Sequence, residues 1–109
     1  MKLPDNSIIS REKIANYLLK WQSDNDKSRF LGRAGYSPDN WQRLLEDIRN
    51  QILPLEAELV RKTAYGDLFQ IRSKLVGPSG VSLRIVTIWM KESRSQQTKF
   101  ITLFPDREE

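Results

Sequence analysis

The stretch LFQIRSKLVGPSGVSLRIVTIWMK, residues 68–91, decides the fold. Apolar and polar residues alternate on both sides of GPSG (77–80), which is the period of a β-strand whose successive side chains face opposite ways. Pro78 presets the backbone at the second position of a turn, and Gly80 can take the left-handed conformation that makes a bulge. The stretch therefore predicts a β-hairpin.

The register of this hairpin follows from the requirement that apolar side chains share one face. A three-residue turn over 78–80 places Leu75 opposite Leu83 and Lys74 opposite Arg84. A two-residue turn would place Lys74 opposite Leu83 instead and would mix the two faces. We therefore expect the first register, in which Arg72 faces Val86 and the apolar face carries Phe69, Ile71, Leu75 and Leu83.

Outward from the hairpin, the hydrophobic period changes at Pro54. Before it, apolar residues recur every three or four positions and predict amphipathic helices that begin near Ser10, Lys27 and Ser37. After it, two-residue alternation predicts an antiparallel sheet of about four strands, at 56–63, 68–76, 81–91 and 98–104. The sequence predicts an α+β fold in a single domain, 1–109, with N-terminal helices (about 10–53) packed on one face of the sheet (about 56–104).

Four aromatic residues are assigned to the interior by these periods. Tyr17 and Trp21 lie on the apolar stripe of the first helix, and Trp41 lies on the stripe of the third. Trp89 lies in the middle of a strand that is apolar on both faces, which indicates a central strand. All four are predicted to face the core.

The absent residue types exclude several kinds of chemistry. With no Cys, disulfides and thiolate sites are excluded, and with no His, the usual general base near neutral pH is missing. The remaining Lys, Tyr, Asp and Glu residues show no metal-binding spacing, so we expect neither a metal site nor a cofactor. No apolar signal core or run of about 20 apolar residues is present, so we predict a cytoplasmic protein without a membrane partner.

Positive charge is concentrated in the predicted sheet. Residues 57–104 hold eight basic and three acidic side chains, whereas residues 1–56 hold nine basic and eight acidic ones. Localised basic charge favours an anionic partner such as RNA or an acidic protein, although a solvated surface has the same composition.

Five residues of the sheet half are the candidate site for an anion or a partner: Lys62, Tyr65, Arg72, Lys74 and Arg84. Like charges directly opposite on a sheet repel, so Lys74 and Arg84 suggest an anion between them. The alternatives are that both side chains extend into water or that one meets Glu58 or Asp67. Tyr65 lies in a turn, where it can stack a base or simply cover the core.

The sequence also resembles an uncharacterised bacterial domain family of small standalone proteins and toxin-type C-terminal modules. The resemblance rests on Tyr65-Gly66, Gly77-Pro78, Val86-Thr87-Ile88-Trp89 and Phe100-Ile101-Thr102-Leu103-Phe104-Pro105. That family is similar in layout to barnase, colicin and RelE-type ribonuclease toxins. The resemblance implies RNA cleavage from the sheet face, with Lys62, Tyr65, Arg72, Lys74 and Arg84 as the matching residue types.

Two functions are compatible with these observations. The first is a non-enzymatic interaction module that uses the basic sheet face to bind an acidic protein or a second copy of itself. The alternative is a toxin-like, metal-independent endoribonuclease or RNA-binding protein with Lys, Arg and Tyr on the sheet. Whether the protein is an enzyme is left open by the sequence.

Overall fold

The computed structural model describes residues 1–21, 23 and 27–107. In this described part of the chain, three helices come first, and a four-stranded antiparallel sheet with the order β1-β2-β3-β4 follows them. The elements are α1 (Glu12–Leu18), α2 (Ser28–Gly32), α3 (Trp41–Asp47), β1 (Glu58–Lys62), β2 (Gly66–Val76), β3 (Ser82–Glu92) and β4 (Thr98–Pro105). The predicted α+β fold is confirmed.

Helix α1 begins just after Ser10, whose hydroxyl can accept a hydrogen bond from a backbone N–H of the first turn. Ser10 Oγ accepts a hydrogen bond from the Lys13 backbone N–H at 3.2 Å, as expected of a capping serine. The helix has wide π-type turns and ends at Leu18. Because it ends there, Trp21 is not on its stripe and is 64% exposed. Tyr17 lies within the helix, but the wider turns place Ile14, Leu18 and Leu19 inward and leave Tyr17 exposed. The inward placement of these two aromatics was therefore wrong.

Helix α3 begins at the predicted Ser37-Pro38 restart. A 3₁₀ turn, Pro38–Asn40, precedes it, and the Ser37 backbone N–H donates to Asn40 Oδ1 at 2.8 Å in a capping box. After Asp47 the chain continues in π-type turns over Ile48–Ile52. Trp41 is half-buried and packs against the core.

The β2–β3 hairpin has the predicted register. The Gly77 N–H donates to the Val81 carbonyl at 3.1 Å, and Gly80 has the left-handed φ of +83°. Leu75 pairs with Leu83, and Lys74 lies opposite Arg84. The three-residue turn is therefore confirmed.

The core lies between the helices and one face of the sheet. Trp89 is fully buried in β3, as predicted; its indole N–H donates to Thr87 Oγ1 at 2.8 Å, and its ring packs edge-to-face on Phe100 at 5.3 Å. The helical side contributes Ile14, Leu18, Leu31, Leu44, Ile48 and Ile52, and the sheet contributes Phe69, Ile71, Leu75, Leu83, Ile85 and Leu103. Within the described residues, no helix has the length and hydropathy to cross a bilayer.

The edge of β2 that faces β1 is paired with that strand over only part of its length. All five residues of β1 are exposed, and β1 pairs only with residues 67–70 of β2. Further along β2, Gln51 takes the place of a strand partner. Its carboxamide donates to the Val76 carbonyl and accepts from the Val76 N–H, both at 2.9 Å.

Candidate functional site

The face of the sheet opposite the core carries three of the predicted site residues. Lys74 and Arg84 are directly opposite each other, and both are exposed. Among the residues that the structure describes, neither side chain has an ion-pair partner, so neither meets Glu58 or Asp67. The like-charged pair is thus present and open to solvent.

The third of these residues, Arg72, is turned towards the end of the chain. Its Nη1 lies 3.6 Å from Asp106 Oδ1, and the Asp106 backbone N–H donates to the Arg84 carbonyl at 2.9 Å. Across the sheet, Val86 of β3 is paired with Arg72 of β2 on one side and with Phe104 of β4 on the other. Val86 is buried although it lies on the outer face. Arg72 is therefore held in place at the end of β4.

The other two predicted residues lie at the far end of the sheet. Tyr65 is 81% exposed in the turn that joins β1 to β2, where Thr63 Oγ1 accepts from the Tyr65 N–H at 3.2 Å. Lys62 is the last residue of β1. Tyr65 is about 23 Å from Arg72 along an extended strand at the usual rise per residue. The structure does not bring Lys62 and Tyr65 together with Arg72, Lys74 and Arg84.

Arg72 instead belongs to a larger site, which we name the basic cleft. It is an open cavity of about 1170 Å³ between the α1–α2 region and the C-terminal end of β4. Its lining residues are Tyr17, Lys27, Arg29, Phe30, Arg33, Arg72, Val86, Phe104, Pro105, Asp106 and Arg107.

The charge of the basic cleft is strongly unbalanced. Among the residues that the structure describes, its lining includes five cationic side chains and one carboxylate, that of Asp106. Three aromatic side chains also line the cleft, and two of these, Tyr17 and Phe104, are exposed. Such a surface can hold several anionic groups and offers flat rings beside them.

One wall of the cleft carries a phenol that is surrounded by positive charge. Lys27 Nζ donates to Tyr17 Oη at 3.1 Å and to Thr102 Oγ1 at 2.8 Å. The ammonium groups of Lys27 and Lys13 lie 5.0 and 5.4 Å from the centre of the Tyr17 ring. The hydrogen bond with Thr102, followed by that with Lys27, lowers the pKa of Tyr17 from its ordinary value of 10.0, and partial burial opposes this.

Sequence reasoning missed most of this site because its members come from distant parts of the chain. Tyr17 was assigned to the core, and Lys27 lies 75 positions from the Thr102 that it contacts. One local signal was available: residues 27–38 contain Lys27, Arg29 and Arg33 and no acidic residue. Among the described residues, no group of three or more carboxylates is placed to hold a metal ion.

Comparison with known proteins agrees with the fold. Residues 2–107 match the model of the family described as Domain of unknown function (DUF6883). No curated protein matches the sequence. Among solved structures, a chain of the contact-dependent growth inhibition toxin–immunity protein complex from Klebsiella pneumoniae 342 superposes with a TM-score of 0.62. It is 21% identical, and the match covers 92% of this chain and 100% of that chain.

Proposed function

We propose a function from the premise that this chain belongs to the DUF6883 family of domains of unknown function. The basic cleft binds single-stranded RNA, and the protein has a toxin-type role. The observation that carries the proposal is the cleft itself, a cavity of about 1170 Å³ that the described residues line with five cationic side chains and three aromatic rings. The likeness to a chain of a toxin–immunity complex supports the toxin-type setting.

The combination of charge and aromatic rings favours a single-stranded nucleic acid such as RNA over an acidic protein. Lys and Arg side chains neutralise phosphates, and this attraction supplies most of the sequence-independent affinity for nucleic acids. Charge alone would suit an acidic protein equally well. Exposed rings such as Phe104 add base stacking, which contributes about 1–3 kcal/mol per base. A flexible strand can present phosphates to the arginines and bases to the rings, whereas a duplex keeps its bases stacked.

A charge-removing double variant tests the proposal. Arg33→Gln/Arg107→Gln removes two exposed cations from the cleft and leaves the core untouched. We expect weaker binding of a labelled single-stranded RNA and a slope of log K against log salt that is smaller by about 1.4, roughly 0.7 per lost cation on a single strand. Fluorescence anisotropy over a salt series gives both quantities.

The matched control removes the same charge elsewhere. Arg61→Gln/Arg94→Gln changes two exposed arginines, one on β1 and one in the β3–β4 loop, outside the cleft. This variant should bind RNA nearly as well as the unchanged protein. Equal losses in the two doubles would mean that only net charge matters, and no binding by the unchanged protein at low salt would end the proposal.

A second candidate function is favoured by the pair formed by Lys74 and Arg84. Two like charges held opposite each other repel, and a carboxylate from an acidic protein, or from a second copy of the chain, would relieve this. On this reading the domain is a non-enzymatic interaction module that uses the outer face of the sheet.

Reversal of these two charges tests the module. Lys74→Glu/Arg84→Glu should abolish co-purification of an acidic partner and self-association measured by sedimentation. The control double Arg61→Glu/Arg94→Glu, on β1 and in the β3–β4 loop, should not. Partner binding that survives the first double would count against the sheet face.

A further inference from the structure

We propose that the basic cleft recognises one unpaired nucleotide of the RNA strand, with its base stacked on Phe104 and its phosphate bound by Lys27. This inference rests on the proposed RNA-binding function and names the unit that the cleft holds. The other nucleotides of the strand contribute phosphates to the cleft and no base contacts. Because every base has a flat ring face, the identity of the stacked base matters little.

Phe104 is the ring of the cleft that has a face available for a base. The ring of Phe30 is partly buried and packs against the core. The ring of Tyr17 already has the ammonium groups of Lys27 and Lys13 at 5.0 and 5.4 Å from its centre. Phe104 is exposed, and among the described residues it has no ring or cation contact. A base can therefore stack on Phe104 without displacing another group.

The position of the Phe104 ring is fixed by the sheet. Phe104 belongs to β4, and its partner in β3 is Val86, which is 2% exposed on the same outer face. The backbone of β4 is held at this point by its pairing with β3 on one side. A ring carried by a paired strand presents its exposed side in a defined orientation, as a stacking surface requires.

Lys27 is the cation of the cleft that is held in place for a phosphate. Its Nζ donates to Tyr17 Oη at 3.1 Å and to Thr102 Oγ1 at 2.8 Å. An ammonium group has three donors, and the third has no partner among the described residues. No carboxylate in the described part of the chain pairs with this charge. Tyr17 therefore acts as a positioning residue, which together with Thr102 orients the remaining donor of Lys27.

The two groups are separated by a distance that one nucleotide can span. Thr102, which anchors Lys27, lies two residues before Phe104 on β4, so the two side chains share a face and are about 7 Å apart along the strand. Lys27 and Phe104 line the same cavity. The ribose of a nucleotide joins its phosphate to its base over a separation of this order, so a single nucleotide can reach both.

The test varies the number of bases in the strand. Three end-labelled single-stranded oligoribonucleotides of equal length are compared by fluorescence anisotropy: one carries adenine throughout, one is abasic throughout, and one carries a single central adenine. We expect the abasic strand to bind about tenfold more weakly, which is about 1.4 kcal/mol and within the range of one base stacked on an aromatic side chain. The single adenine should restore most of that loss.

Variants of Phe104 test the stacking surface. Phe104→Leu removes the ring and should bind the three strands equally, with an unchanged dependence on salt. Phe104→Trp keeps a flat ring and should keep the preference for bases. Tyr65→Leu is the matched control, because it removes an 81% exposed ring outside the cleft and should also keep the preference. Thermal melts check that each variant is folded.

A pair of lysine variants tests the phosphate contact. Lys27→Met should weaken the binding of all three strands and reduce the slope of log K against log salt by about 0.7, the loss of one phosphate contact on a single strand. Lys13→Met removes the other ammonium beside the Tyr17 ring, which does not line the cleft, and should leave the slope unchanged. Equal slopes for the two variants would overturn the role of Lys27.

The outcomes separate this inference from the proposed function. Equal binding of all three strands by the unchanged protein overturns the nucleotide site and leaves RNA binding by charge intact. No binding of any strand at low salt overturns both. A preference for bases that survives in folded Phe104→Leu overturns the assignment of the ring. Displacement of the labelled strand by an equal concentration of adenosine 5′-monophosphate would overturn the strand as ligand in favour of a free nucleotide.

Discussion

The hydroxyl of Tyr36 donates a 2.6 Å hydrogen bond to Asp47 Oδ2 inside the helical half of the molecule. Both residues are buried, and Arg43 Nε completes the group by donating to the same carboxylate at 2.9 Å. Burial, followed by the hydrogen bond to Asp47, raises the pKa of Tyr36 well above its ordinary value of 10.0. The group therefore requires a neutral tyrosine beside a charged aspartate.

Removal of that hydroxyl should be costly. We expect Tyr36→Phe to lower the free energy of unfolding by about 1–2 kcal/mol, because the buried carboxylate loses one of its two side-chain donors among the described residues and keeps Arg43. Urea unfolding gives the value. Tyr65→Phe is the control, since Tyr65 is 81% exposed and its loss of a hydroxyl should change little. Equal values for the two variants would mean that the hydrogen bond does not contribute.

The same group also gives a pH dependence with a defined sign. Above pH 10.0 the unfolded chain loses the Tyr36 proton while the folded chain keeps it, so this stabilisation falls as pH rises through the alkaline range. Tyr36→Phe should flatten that part of the stability curve. An unchanged alkaline slope in the variant would contradict the assignment.

At the scale of elements, the β2–β3 hairpin is fixed to the end of α2 by a close backbone approach. A Cβ atom at Gly77 would lie 2.2 Å from the Ala34 carbonyl oxygen, and the Ser79 N–H donates to that same oxygen at 3.0 Å. Gly80, in the same turn, has a positive φ but open space around it. The two glycines are therefore needed for different reasons.

Alanine at each position should separate these reasons. Gly80→Ala should cost about 1–2 kcal/mol, the strain of a left-handed backbone. Gly77→Ala should cost about 3 kcal/mol or more, because backbone atoms of two elements must move apart. Chemical denaturation of both variants measures the difference. Similar costs at the two glycines would argue that the hairpin does not pack on Ala34 in solution.

For the molecule as a whole, the sheet could be predicted from the sequence and the cleft could not. Two-residue alternation and turn chemistry are local, so the hairpin register and the face shared by Lys74 and Arg84 follow from neighbouring residues. The basic cleft requires tertiary contacts such as that of Lys27 with Thr102, which no local period encodes.

The wrong placement of Trp21 in the core also comes from a local period. Trp21 was placed inside because a regular helical period was extended past the residue where α1 ends. Tyr65 was grouped with Arg72 by residue type and charge, although one lies at the turn end of β2 and the other near its hairpin end. The anion-binding role predicted for the five sheet residues remains a prediction, and only Arg72 lines the cleft.

The carboxamide of Gln51 forms hydrogen bonds with both backbone groups of Val76. These bonds also affect how copies of the protein associate at high concentration. A strand from a neighbouring molecule that added to this margin of β2 would first have to displace Gln51. Gln51, a residue of the helical half, thus hinders the polymerisation of copies by strand addition along this edge of β2. On this side of the sheet, the part that stays open to an added strand is β1, whose five residues are all exposed.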